Sequence, residues 1–250
     1  MSWLDAILII LAGVGAGAIN TIVGSGTLVT FPTLLALGYS PVVANVSNTV
    51  GLAPGGVTGV IGYRRELAGQ RDRLIRLASA SLLGGVTGAV LLVTLPSGAF
   101  DAIVPVLIGI GCVLVAIQPW ISRRLKDRER PDRPHGSALV WVLVMLAGVY
   151  GGYFGAGQGV LLIGIMGIGL AEDLQRINAV KNVLAMLVNT VAALFFVIVA
   201  DVSWAVAGLI AVGSAVGGHF GASIGRRLPS TFFRVLIVVI GAIAIWRLLA

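Results

Sequence analysis

Apolar runs long enough to cross a lipid bilayer fill most of this 250-residue chain. A membrane-spanning helix needs about 20 mainly apolar residues, and eight runs meet that length: 4–23, 41–62, 74–95, 101–121, 138–156, 178–200, 203–224 and 231–249. Only 11% of the residues are charged, against roughly 25% in a soluble globular protein. Because so little charge cannot cover a globule in water, we predict an all-α polytopic membrane protein.

Two further apolar runs, 27–38 and 159–170, are too short to cross a bilayer alone, and each directly follows a glycine-rich break. The breaks are Gly24-Ser25-Gly26 in the first half and Gly155-Ala156-Gly157-Gln158-Gly159 in the second. Each half therefore reads as a long helix, a break, a short helix and three long helices. Such self-similarity indicates an internal repeat. We expect a first repeat at 1–121, a basic cytoplasmic linker at 122–136 and a second repeat at 137–250.

The positions of lysine and arginine test how these helices cross the membrane. Fifteen of the 17 lie at 64–76, 123–133, 176 and 226–234, and basic loops face the cytoplasm. All four clusters share one side if each long-plus-short pair crosses twice, or if the short helix belongs to a re-entrant hairpin. Both arrangements place the two termini outside and invert the halves, as in many secondary transporters. We expect a multi-pass protein of the cell (inner) membrane.

The breaks are the main candidates for a binding site. A short helix that begins at membrane depth presents free backbone N–H groups and the positive end of its dipole, which together attract anions. The alternative is a tight packing turn that binds nothing. The candidate substrate-binding residues are Gly24, Ser25, Gly26, Thr27, Asn48, Gly155, Gly157, Gln158, Gly159, Lys181 and Asn182.

Three polar positions on the long helices each have a functional and a structural interpretation. Lys181 lies in an apolar run, where it could balance the charge of an anion or extend its amine to the interface. Asn48 and Asn182, which correspond between the halves, could line a cavity or bond to neighbouring helices. His219 could couple transport to protons or bond to a neighbouring helix.

Several other function classes are excluded or disfavoured. A single cysteine, Cys112, provides neither a disulfide framework nor a cysteine metal site, and we expect no metal and no cofactor. The basic residues lie in loops between apolar runs rather than on one face, so we expect no nucleic-acid partner. The chain has no motif of a metalloprotease, serine hydrolase or nucleotide-binding loop, and we expect no enzyme. The expected partners are a small anionic substrate and the lipid bilayer, with a homo-oligomer left open.

At these same residues the chain resembles the sulfite exporter TauE/SafE family of bacterial membrane transporters. The matching stretches are GAINTIVGSGT (17–27) and ANVSNT (44–49) in the first half, and GGYFGAGQG (151–159) and NAVKN (178–182) in the second. The resemblance implies movement of small sulfur-containing anions such as sulfite or organosulfonates. We therefore expect a secondary anion transporter in which one repeat rocks against the other. A passive anion channel and a non-transporting membrane assembly subunit are the alternatives.

Overall fold

The computed structural model describes residues 1–126, 135–224 and 230–249, which form ten α-helices and no strand. The helices are α1 (Trp3–Ile22), α2 (Thr27–Ala36), α3 (Pro41–Gly62), α4 (Arg71–Thr94), α5 (Ser97–Lys126), α6 (Ala138–Tyr153), α7 (Gln158–Gly169), α8 (Leu174–Val199), α9 (Trp204–Ile224) and α10 (Ser230–Leu249). The predicted all-α fold is confirmed. The predicted order of a long helix, a break, a short helix and three long helices is present twice.

The helix boundaries differ from the sequence-based ranges in a few places. α6 ends at Tyr153 rather than at 156, because Gly155 has a φ of +80° that a right-handed helix cannot contain. α5 continues to Lys126, so the beginning of the predicted linker 122–136 is helical. The remainder of the predicted basic cluster at 123–133, together with Arg226 and Arg227, lies outside the described residues.

Side-chain caps explain where three of the helices begin. The Ser2 hydroxyl accepts from the Asp5 amide while the Asp5 carboxylate accepts from the Ser2 amide, a reciprocal pair that starts α1. The Ser137 hydroxyl caps α6, and the Asp173 carboxylate caps α8. These contacts satisfy backbone N–H groups that have no partner inside the helix.

Five of the described helices, α1, α4, α5, α8 and α9, are long and apolar enough to cross a membrane by length and composition. α3 has 22 residues but is not among the five, and it carries a buried polar face. Large apolar side chains cover the outside of the bundle, as at Trp3, Leu11, Ile198 and Val212. Such a surface is unfavourable in water and suited to lipid, so the protein is a multi-pass membrane protein.

The packing of the helices repeats when the first half is exchanged for the second. α1 packs on α9 and α6 on α4; α3 packs on α9 and α8 on α4; α2 packs on α10 and α7 on α5. α3 also packs on its counterpart α8, and α5 on its counterpart α10. The contacts therefore follow the duplication that the sequence predicts, while the inverted orientation of the halves in the membrane stays a prediction.

Glycines bring two of these helix pairs into backbone contact. A Cβ added at Gly217 would lie 2.0 Å from the carbonyl oxygen of Val14 on α1, and one added at Gly88 would lie 2.1 Å from that of Val149 on α6. Small residues at such interfaces let helices approach closely in membranes. Since α1 belongs to the first repeat and α9 to the second, the tightest packing joins the two repeats.

Candidate functional site

The first break connects α1 to α2 through a left-handed glycine. The amide of Gly24, which has a φ of +85°, still donates to the Ile19 carbonyl, so the chain turns as α1 ends. The amide of Gly26 then donates to the Asn20 side chain at 3.3 Å. α2 starts one residue later, held to the end of α1 by an amide side chain.

The second break has two left-handed residues, Gly155 (φ +80°) and Gly157 (φ +83°). The Tyr150 hydroxyl donates to the Ala156 carbonyl at 2.5 Å, which ties the break to the last turns of α6. α7 begins at Gln158. Both breaks are therefore compact turns whose shape depends on glycine.

The two breaks touch each other. The Gly159 amide donates to the Gly24 carbonyl at 3.0 Å, and a Cβ added at either glycine would lie 2.4 Å from the Cα of the other. The two breaks therefore meet inside the helix bundle. The bond also occupies the Gly159 amide, one of the predicted anion donors, whereas the amides of Ser25, Thr27, Ala156 and Gly157 have no hydrogen-bond acceptor among the described residues.

Lys181 lies beside this junction and is fully buried. Its ammonium donates to the carbonyls of Asn20 at 3.1 Å and Thr21 at 3.2 Å, at the end of α1. That end carries the negative pole of the helix dipole. No carboxylate among the described residues lies within 4.0 Å of the amine, and the side chain does not reach the surface of the protein. Of the two interpretations of Lys181, the interfacial one has no support in this packing, and the role as a counter-charge stays a prediction.

Asn48 uses both ends of its amide on α2. Its oxygen accepts a hydrogen bond from the Thr30 hydroxyl, and its nitrogen donates to the Thr27 hydroxyl at 3.3 Å. All three side chains are buried. Asn48 therefore joins α3 to the first two turns of α2.

Asn182 and Gln158 occupy the corresponding places in the second half but are not satisfied in the same way. The side-chain nitrogens of both are buried without a hydrogen-bond partner in the protein, and so is the Ser25 hydroxyl. Ser25 is fully buried, Gln158 is 3% exposed and Asn182 is 6% exposed. Because buried polar groups nearly always have partners, these three mark the polar positions that a ligand or water would fill.

Asn45, on α3, caps the other broken helix. Its side-chain nitrogen donates to the Tyr153 carbonyl at the end of α6, at 2.9 Å. The sequence-based site list omits Asn45, and it also omits Asn20 and Thr30. An asparagine four residues before a glycine break is a signal that could have found Asn20, whereas the partners of Thr30 and Asn45 depend on how distant helices pack.

His219 is not brought to the breaks. It lies on the exposed side of α9, where its ring meets that of Phe220 edge-on at 5.6 Å. The opposite side of α9 carries Ser214, which donates to the Gly51 carbonyl of α3. The coupling role of His219 stays a prediction that no contact to the junction supports.

Two cavities of about 470 Å³ each lie beside the short helices rather than at the junction. One is lined by α2 and α10, and the other by α5, α6 and α7, with mainly apolar side chains. Neither includes a candidate binding residue, and apolar grooves of this kind suit lipid chains better than an anion. These two grooves therefore do not locate an anion site.

A family model described as sulfite exporter TauE/SafE matches residues 9–248 of the chain. The chain belongs to the sulfite exporter TauE/SafE family. This membership confirms the resemblance seen at the two breaks and the polar helices that follow them. The match covers both halves of the chain.

Curated relatives agree with this family. The chain is 25% identical over 242 residues to the probable membrane transporter protein YfcA of Escherichia coli strain K12, covering 94% of this chain and 86% of the relative. It is 26% identical to the probable membrane transporter protein ORF9 of Sinorhizobium sp., covering 94% and 88%. A Haemophilus influenzae protein named probable membrane transporter protein is 24% identical, covering 91% and 88%. This TauE/SafE chain is accordingly a membrane transporter with a small substrate and a lipid environment.

Proposed function

We propose that this protein is a secondary transporter of small anions, in particular sulfur-containing oxyanions such as sulfite or organosulfonates. The family and the names of the relatives support transport, while the anionic class rests on the chemistry of the junction. The proposed location is the cell (inner) membrane, with inverted halves and cytoplasmic basic loops.

One observation carries the proposal: the two breaks are bonded to each other beside a fully buried lysine. The Gly159–Gly24 hydrogen bond fixes the junction, and the Lys181 ammonium beside it has only neutral carbonyl partners among the described residues. A buried charge without a counter-charge is costly, and ionisable residues inside membranes are functional-site candidates. A small anion at this junction would balance the charge.

The packing of the helices also supports a route for alternating access. Because α1 is interlocked with α9 and α6 with α4, the units that move together cross the repeat boundary. In this proposal α1, α3 and α9 form one unit, and α4, α6 and α8 form the other. The Lys181 contact to α1 lies between these units, and the Gly159–Gly24 bond joins the breaks that follow α1 and α6. Movement of one unit against the other would therefore expose the junction first to one side and then to the other.

Flux measurements in proteoliposomes test the proposal. Purified protein should show saturable uptake of radiolabelled sulfite that is accelerated by unlabelled sulfite inside, as expected of a carrier. Lys181→Gln should lower this flux at least about tenfold, which corresponds to about 1.4 kcal/mol. Arg65→Gln removes a positive charge from an exposed position and is the matched control.

The alternatives give different results. High conductance that rises linearly with concentration would indicate a channel. Absence of flux for sulfite, methanesulfonate, thiosulfate and carboxylates in folded protein would indicate a non-transporting subunit. Unchanged flux in folded Lys181→Gln would show that the anion binds elsewhere. Size-exclusion chromatography and the melting temperature establish that each variant is folded.

A further inference from the structure

We infer that the two breaks have different roles. The first is held together by hydrogen bonds of Asn48, whereas the second binds the anion through Gln158 and Asn182, with the neighbouring Ser25 of the first break as a third donor. This inference rests on the proposed function and names the residues that bind. It makes the binding site asymmetric, although the fold around it is duplicated.

In the first break both ends of the long-helix asparagine's amide have a hydrogen-bond partner. The Asn48 amide bonds to both Thr27 and Thr30, and the Thr30 hydroxyl also reaches the Gly26 carbonyl at 3.5 Å. Asn20 bonds to the Gly26 amide. A side chain whose donors and acceptors already have good partners gains little from a ligand, because it would have to give those partners up.

The second break has the same plan with these bonds missing. Gln158 corresponds to Thr27 at an offset of 131 residues, and Asn182 corresponds to Asn48 at an offset of 134. The pair that is hydrogen-bonded in the first half leaves two buried side-chain nitrogens without partners in the second. Both nitrogens are N–H donors, and an anion is the ligand that accepts from several donors at once.

Electrostatics favour the second break as well. Gln158 is the first residue of α7, a helix of 12 residues, so it stands at the positive end of the dipole. The Lys181 side chain passes α7 closely, since a Cβ added at Gly159 would lie 3.0 Å from its Cδ. The unpaired Ser25 hydroxyl follows Gly24, whose carbonyl bonds to Gly159, and this places it next to the same helix start.

In the part of the chain that the structure describes, four other side-chain atoms that are buried without partners lie outside this donor set, and two of them are the hydroxyls of Ser81 on α4 and Tyr153 on α6. The side-chain oxygens of Asn45 and Asn178 are buried without partners, but they accept hydrogen bonds and would repel an anion. Both breaks have backbone amides without an acceptor among the described residues, so these amides do not show which break binds the anion. The side-chain donors do, since two of the three, Gln158 and Asn182, belong to the second half and only Ser25 belongs to the first break.

The test measures stability and ligand binding separately in matched asparagine variants. Sulfite should raise the melting temperature of the wild-type protein, since a ligand that binds only the folded state stabilises it. Asn182→Leu should keep or raise the ligand-free melting temperature, because it removes an unsatisfied buried group. It should abolish the sulfite-induced shift and raise the KM for sulfite flux at least tenfold, roughly 1.4 kcal/mol.

Asn48→Leu should show the opposite pattern. It removes two hydrogen bonds from α2, so the ligand-free melting temperature should fall, while sulfite should still produce a shift. Gln158→Met is a second binding variant and should behave like Asn182→Leu. Asn189→Leu makes the same exchange about two turns further along α8 and controls for the loss of an asparagine from that helix.

The outcomes separate the inference from the proposed function. Loss of the sulfite-induced shift in Asn48→Leu to the same extent as in Asn182→Leu would overturn the inference that the two breaks have different roles. In that case, transport by the wild type would leave the proposed function intact. A retained shift in both Asn182→Leu and Gln158→Met would also overturn the inference. Absence of both shift and flux in the wild type would overturn the proposed function itself.

Discussion

The two glycine-rich breaks have the same place in their repeats but differ in how their polar groups are satisfied. In the first, Asn48 bonds to two hydroxyls of α2. In the second, Asn182 and Gln158 leave their nitrogens unpaired. A duplicated architecture therefore supplies the geometry of a site twice without requiring that both copies bind a ligand.

The side chains that cap the C-terminal ends of α1 and α6, the helices before the two breaks, also differ. The end of α1 is capped by a charged donor, Lys181, whereas the end of α6 is capped by a neutral one, Asn45. The neutral cap shows that closing a broken helix does not require a charge. The presence of a lysine at this cap therefore needs another reason, and an anion at the adjacent break, which would favour the charged form of the amine, is the reason we propose.

The largest expected effect comes from Gly24→Ala. A Cβ at Gly24 would lie 2.4 Å from the Cα of Gly159, and two backbones must separate to accept it. The left-handed φ adds strain. We expect a loss of more than about 4 kcal/mol of stability, in the range reserved for severe core disruption. The measurement is the yield of monodisperse protein and its melting temperature.

Gly38→Ala is the matched control, since Gly38 has a φ of +87° but would meet nothing within 4 Å. Its cost should be the backbone strain alone, about 1–2 kcal/mol. Equal losses of stability in the two variants would show that the contact between the breaks does not itself stabilise the fold.

Much of this architecture could be predicted from the sequence, because apolar run length and glycine placement are local signals. The breaks at Gly24 and Gly155 and the short helices after them followed from those signals. The difference between Asn48 and Asn182 could not be predicted, since both are asparagines on matching polar helix faces. Whether each finds a partner depends on what packs opposite, as Thr27 and Thr30 do for Asn48.

The burial of Lys181 was similarly undetermined by the sequence. A lysine two turns inside a helix can extend to the interface or stay inside, and the choice depends on whether acceptors are available. The acceptors are the carbonyls of Asn20 and Thr21 on a distant helix. Contacts of this kind arise from the packing of the two halves and have no signature near Lys181 itself.

A smaller effect is expected from Asn45→Leu, which removes the neutral cap. The Tyr153 carbonyl loses its side-chain donor, and leaving a buried polar group unsatisfied costs about 2 kcal/mol. We expect a lower melting temperature and a sulfite flux per folded molecule within about twofold of wild type, or 0.4 kcal/mol. The contrast with Lys181→Gln is the informative result: a comparable loss of flux in folded Asn45→Leu would show that the two caps are equivalent.

The smallest expected effect concerns the far ends of the two short helices. Behind α7, Glu172 bonds to Arg73 at 2.8 Å and to Arg176 at 2.9 Å, whereas the connection after α2, 37–40, contains no charged residue. Partial burial acts to raise the pKa of Glu172, but the hydrogen bonds from Arg73 and the Asp173 amide and the nearby arginine charges together hold that pKa below its usual value.

A carboxyl whose folded-state pKa is lowered contributes stability above its unfolded pKa, about 4.3 for glutamate, and loses it as the pH falls through the folded value. Glu172→Gln should therefore destabilise the protein by about 1 kcal/mol near neutral pH, the scale of a partly exposed ion pair. The difference in melting temperature from wild type should shrink as the pH falls below about 4.3. Since the ion pairs lie beyond the C-terminal end of α7, away from the donors at its start, the variant should retain its sulfite-induced shift. Loss of that shift would show that this anchor also positions the donors at the start of α7, and the second break would then depend on distant charges in a way that the first does not.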